Sequence, residues 1–124
     1  MTDNDSGFTG LIGASIPDAD DGKAQLSMEA DDRHLNPAGA VHGGLLATLV
    51  DTTMGAAVKS AVDDEAPATS QLTVTYLRPG KPGRLEVTAR VRTRGEHLTV
   101  CEADVEQDGR GLVHAVATFA LLHD

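Results

Sequence analysis

Residues 42–51 carry the chemistry of this chain. His42-Gly43-Gly44 opens an apolar run, Leu45-Leu-Ala-Thr-Leu-Val50, that ends on a carboxylate, Asp51. A helix that starts on glycines presents free backbone N–H groups to an approaching oxygen. Asp51 has Ala47 and Gly55 four residues to either side, and Thr48 and Met54 three to either side, so no cation on its own helix can pair with it. A carboxylate among apolar neighbours is costly unless it is paired or used. One helix thus offers a donor that can polarise a carbonyl and a group that can serve as general base or nucleophile. Each residue also has a plain reading: His42 as a helix cap, Gly43-Gly44 as a tight turn, Asp51 as a solvated carboxylate. Their occurrence together favours a site.

The elements that must position these residues follow from periodicity. Apolar residues recur at helical spacing from Val41 to about Val62, over more than half the circumference, so this helix is wrapped by other structure. Ala47, Gly55, Ala56 and Ala57 keep it slim, and Asp63-Asp64 ends it. Before it, Phe8 to Ile16 reads as a short helix or turn, Asp18 to Gly22 as a turn, Lys23 to Ala30 as a strand and Asp31 to Ala40 as a loop. After it, alternation predicts strands at 69–77, 84–93, 98–105 and 112–122. The short links between these four strands predict an antiparallel meander. The sum is an α+β domain: a curled five-stranded antiparallel sheet wrapped around one long central helix.

Composition narrows the function. A chain of 124 residues fits one domain, residues 1–124, with 1–6 as an acidic tail. The net charge of −9 argues against nucleic acid and against anionic membrane surfaces. With 2% aromatics and no Trp, base stacking has few candidates. The acid is mostly Asp, and the only lysines are Lys23, Lys59 and Lys81; solubility and adaptation to a salty cytosol both account for this. The single cysteine, Cys101, lies in the alternating stretch Leu98 to Val105 and reads as a buried strand thiol. The five histidines (34, 42, 97, 114 and 123) have no ligand spacing, so no metal is expected. The N-terminus has no basic region followed by an apolar stretch, and nothing approaches a membrane span, so a cytoplasmic location is expected.

Asn36-x-x-Gly39-x-x-His42-Gly43-Gly44 with Asp51 in register resembles the signature of the PaaI-like branch of hotdog thioesterases. Thr69-Ser-Gln-Leu-Thr-Val-Thr-Tyr-Leu-Arg-Pro79, the hairpin through Arg94-Gly95 and Gly109-Arg-Gly-Leu-Val-His-Ala115 agree in order, so the resemblance runs from about residue 20 to the C-terminus. It implies the hotdog fold, hydrolysis of acyl-CoA thioesters with no cofactor beyond the CoA of the substrate, and assembly as dimers or dimers of dimers. It also implies roles. The Gly43 amide polarises the thioester carbonyl, Asp51 attacks it or activates water, and Asn36 and His42 orient water, thioester and helix start. Thr69 or Ser70 places a hydroxyl near the reacting water. Gly44, Thr69, Ser70, Arg94 and Gly95 are the candidates for substrate and CoA contact; Arg94 is one of three turn arginines, with Arg78 and Arg110, that read as solvated charges or as partners for CoA phosphates. No role passes to His34, because Asp31-Asp-Arg-His34 departs from the usual opening of this loop.

Spacing adds a constraint. Gly43 and Asp51 are eight residues apart, which on a helix is about 12 Å of rise and about 80° of rotation. One carbonyl cannot touch both within a single chain. If both act on one substrate, they come from two chains related by a two-fold axis. Two other functions fit the fold. A hotdog hydratase or dehydratase would require a His where Ala38-Gly39 stands, and a non-enzymatic acyl-CoA-binding domain would not require Asp51.

Overall fold

The computed structural model describes residues 7–62 and 66–122. The tail at 1–6, the Asp63-Asp64 stop and His123 lie outside the described residues. The elements in order are α1 (Gly7–Leu11), β1 (Asp18–Asp20), β2 (Lys23–Ala30), one 3-10 turn (Asp32–His34), α2 (Gly43–Ala61), β3 (Ala66–Tyr76), β4 (Gly83–Arg94), β5 (Leu98–Gln107) and β6 (Arg110–Leu122). The strands form one antiparallel sheet in the order β1-β2-β4-β5-β6-β3, and α2 lies across its inner face.

Two sequence expectations need correction. The turn at Asp18 to Gly22 is a hairpin: Asp18–Asp20 pairs with Lys23–Gln25, giving a short sixth strand. Asp21 and Gly22 both take positive φ (51° and 81°), which a two-residue hairpin turn requires. The meander is real only for β4, β5 and β6. β3 pairs with β6 at the opposite edge, and β4 pairs with β2. The cause lies in residues 77–82. Pro79 and Pro82 have no N–H to give to a hairpin ladder. The remaining bonds dock this segment elsewhere: Leu77 N donates to Leu112 O (2.7 Å), Val41 N to Gly80 O (2.9 Å) and Lys81 N to Gln107 Oε1 (3.0 Å). Gln107 Nε2 returns a bond to Lys81 O (2.7 Å), so one buried amide holds both the N–H and the carbonyl of Lys81.

The sheet face that receives α2 is shaped by residue size. The pairing register puts Ala24, Ala89, Ala103 and Ala115 side by side across β2, β4, β5 and β6. To one side runs Leu26-Val87-Val105-Val113, and to the other Val91-Cys101-Ala117-Leu72. The alanine row makes a trough between larger side chains. α2 buries Leu45, Leu46, Leu49, Val50, Thr53, Met54, Ala57 and Val58 there. Each large aliphatic chain buried this way contributes about 1.5–3 kcal/mol. Cys101 is the buried strand thiol expected, and burial pushes its thiol up to about 11. No helix of the described residues is long and apolar enough to cross a membrane.

The trough predicts a cost for filling it. Ala103 is fully buried, so Ala103→Leu should lower the unfolding free energy by about 1–3 kcal/mol through overpacking. A urea titration reads this as a lower midpoint at unchanged slope.

Candidate active site

α2 starts where the sequence places it. His42 is the N-cap, and its Nδ1 accepts the Gly44 N–H at 3.0 Å. The plain reading of His42 as a cap therefore holds, and it fixes the tautomer: the ring proton sits on Nε2. The His42 carbonyl accepts from Leu45 N (3.0 Å) and Leu46 N (3.2 Å). Of the first helical N–H groups, that of Gly43 has no acceptor among the described residues. It shares its peptide group with the doubly bonded His42 carbonyl, an arrangement that strengthens it as a donor.

Asn36 organises the loop that delivers His42. Its Oδ1 accepts from Ala38 N (3.0 Å) and Ala40 N (3.1 Å), and its own N–H donates to Ala40 O (2.7 Å). Two backbone donors on Oδ1 fix the amide orientation, so Nδ2 is a donor with no partner among the described residues. Asn36, Gly43, Leu46, Tyr76 and Arg78 line a cleft of about 360 Å³ beside the helix start. A second cleft of about 350 Å³, mostly apolar, lies against His42 and Gly44 and is walled by Phe8, Ile12, Leu35 and Leu45. The open hollow of about 550 Å³ between β1 and β2 contains none of the candidate residues.

His34 is structural. Its Nδ1 accepts from Asp31 N (2.9 Å) and its Nε2 donates to Ile12 O (2.8 Å), tying the segment after α1 to this loop. The Arg33 guanidinium, hydrogen-bonded to Asp31, holds that exposed carboxyl down to about 2.

Asp51 is half-buried two turns along α2, and Thr69 Oγ1 donates to its Oδ1 at 2.6 Å. Among the described residues no cation lies within ion-pair distance of it. The contact depends on an irregularity in β3. Leu72, Val74 and Tyr76 face inward, so simple alternation turns Ser70 inward and Thr69 outward. The register slips between Thr69 and Gln71, so Ser70 is a bulge and Thr69 pairs with inward-facing Phe119. The bulge turns Thr69 toward α2, and Ser70 Oγ instead bonds Thr118 O at 3.0 Å. The hydroxyl beside the carboxylate is therefore that of Thr69.

The structure does not bring all the candidates together in one chain. Gly43, His42, Asn36 and Gly44 gather at the helix start, while Asp51 and Thr69 sit about 12 Å further along. Arg94 shares a register row with Thr69 through Thr99 and Phe119, three strands or about 14 Å away. Gly95 closes the β4–β5 turn, and a Cβ there would stand 2.5 Å from Leu98 O, so its glycine is explained sterically. Sequence reasoning gave Tyr76 no role beyond its place in the strand. Its hydroxyl donates to Gly43 O at 2.7 Å. The available signal was its type: a tyrosine on an inner face needs a partner for its polar tip. Among the described residues no three His, Cys, Asp or Glu side chains converge as a metal site would need.

Comparison with known proteins shows the family. The thioesterase superfamily model matches residues 38–114. A candidate esterase of Halobacterium salinarum is 38% identical over 108 residues, covering 82% of this chain and 71% of the relative. The acyl-coenzyme A thioesterase PaaI of Escherichia coli is 34% identical over 106 residues, covering 85% of this chain and 74% of the relative. The structure of a conserved protein from Pseudomonas aeruginosa superposes with a TM-score of 0.90 at 32% identity, covering 94% of each chain. The chain belongs to the thioesterase superfamily, as a PaaI-like hotdog thioester hydrolase.

The Thr69–Asp51 bond yields a prediction. Thr69→Val removes the hydroxyl at nearly constant volume and should lower kcat for thioester hydrolysis about tenfold, the worth of one hydrogen bond. Thr69→Ser should restore most of it in the same thiol-release assay.

Proposed function

We propose that this chain hydrolyses acyl-CoA thioesters to free acid and CoA, at sites built between two copies of it. The observation that carries this reading is the unpartnered Gly43 N–H at the start of the helix that also bears Asp51. The attacking oxygen bonds to the thioester carbon, and the carbonyl electron pair moves onto oxygen, where the Gly43 N–H and the helix terminus stabilise it. Collapse of that intermediate breaks the C–S bond and releases CoA. Asp51 either takes a proton from the attacking water and returns it to sulfur, or attacks first and forms a mixed anhydride that water opens. Its Oδ2 has no partner among the described residues, and Thr69 holds Oδ1. The relative named as an acyl-CoA thioesterase supports the substrate class. The two clefts that flank Gly43 and Gly44 suit a thioester with an arm on each side. Asn36, through its free amide, and His42, through Nε2, are assigned to orienting substrate and water. Gly44, Arg94 and Gly95 are assigned to CoA, Arg94 by charge.

The dimer follows from distance. Gly43 and Asp51 of one chain cannot both lie near 3 Å from one carbonyl. β3 supports a partner there. It is a sheet edge eleven residues long with one neighbour, its inward Leu72 and Val74 are only half-buried, and Tyr76 and Leu77 are exposed. A bare edge of that length invites pairing. Association of such dimers into a tetramer and a cytoplasmic location complete the reading.

Asp51→Asn should lower kcat by orders of magnitude with the fold intact. Free-thiol release from aryl-, short-, medium- and long-chain acyl-CoAs tests this, and turnover like that of the wild type would remove the mechanism. Gly43→Pro deletes the polarising N–H at the first helical position, where the proline backbone fits and its ring presses on the Tyr76 side chain. Each variant alone should be inactive. After subunit exchange, an equal mixture should regain about a quarter of wild-type activity, because half the dimers then carry one intact site. No recovery after confirmed exchange would rule out shared sites.

A further inference from the structure

We infer that Tyr76 is a positioning residue for the Gly43 amide. The inference rests on the reading that this amide polarises the thioester carbonyl.

Gly43 lies between two peptide groups, and its φ and ψ set how they are oriented relative to each other. Without a side chain it has the least restricted backbone at a helix end that already lacks partners. The group before it is tied at its carbonyl end: His42 O accepts from Leu45 N and Leu46 N. The group after it is tied at both ends. Its N–H, on Gly44, donates to His42 Nδ1, and its carbonyl, on Gly43, accepts the Tyr76 hydroxyl at 2.7 Å. Tyr76 supplies the one tie from outside the helix and its cap. The Gly43 N–H is the remaining free end of this chain of bonds, and it stays oriented because every other end is held.

The ring contributes as well. A Cβ on Gly43 would stand 3.3 Å from Tyr76 Cζ and 3.3 Å from its hydroxyl oxygen. A side chain at this position would therefore press on the tyrosine, which would have to give by a few tenths of an ångström. Tyr76 is nevertheless 51% exposed, so the fold gains little from burying it. An amide aimed before the substrate arrives needs no reorganisation as charge develops on the carbonyl oxygen. Losing the hydroxyl should therefore affect the chemical step more than ground-state binding.

The test is Tyr76→Phe, which keeps the ring against Gly43 and removes only the hydroxyl, assayed beside wild type and Asp51→Asn by thiol release over a range of acyl-CoA concentrations. The expected result is kcat down about tenfold with KM within about twofold and an unchanged thermal midpoint. If Tyr76→Phe turns over like wild type while Asp51→Asn is inactive, the positioning role is overturned and the thioesterase reading stands. If Asp51→Asn is also fully active, the thioesterase mechanism itself fails. If Tyr76→Phe does not fold, growth on 3-fluorotyrosine modifies residue 76 alone, because it is the only tyrosine. A kcat that changes with the phenol's donor strength at constant KM then supports the role, and an unchanged kcat overturns it.

Discussion

The site depends on how one edge strand is registered against one helix. β3 reaches α2 through two side-chain hydroxyls: Tyr76 to the Gly43 carbonyl and Thr69 to the Asp51 carboxylate. Because β3 runs opposite to α2, the two contacts fall at the two helix positions to which the proposed chemistry is assigned. A slip of the strand by one residue would turn both hydroxyls to the outer face. The Ser70 bulge makes the register unequal along the strand, so that Tyr76 and Thr69, which differ in parity, both point inward.

The sheet beneath gives the helix a fixed bed. Four alanines in one row set the depth at which α2 sits, and the valine and leucine row beside them limits sideways movement. Interiors packed at this density resist small displacements, so the bed carries positional precision from the central strands out to the edge. The docked loop at residues 77–82 does the same for the cleft wall. Gly80 leaves only 3.1 Å between a would-be Cβ and Leu112, and Gln107 holds Lys81 from below.

Much of this was legible in the sequence. The helix stood out through apolar spacing, and its start through His42-Gly43-Gly44, because helix caps and glycines are local signals. The strands were legible as strands for the same reason. Their neighbours were not: alternation says which face a residue takes, but it does not say which strand lies beside it. β3 was therefore placed next to β4, when the bonds of Gly80 and Lys81 carry the chain across to the far side. Thr69 and Ser70 could not be separated, because the choice depends on a bulge that no residue type announces. Tyr76 drew no notice because alternation gives only the strand face it shares with Leu72 and Val74; its partner, 33 positions away in sequence, reveals the use of its hydroxyl.

The scarcity of aromatic residues has a practical consequence. The chain has no tryptophan and one tyrosine, and that tyrosine holds the start of α2. Under excitation at wavelengths that phenylalanine does not absorb, its ultraviolet emission therefore arises from the cleft wall beside Gly43. The protein carries an intrinsic optical reporter at the place where the proposed reading seats the carbonyl, and occupancy there can be followed by light without attaching a label.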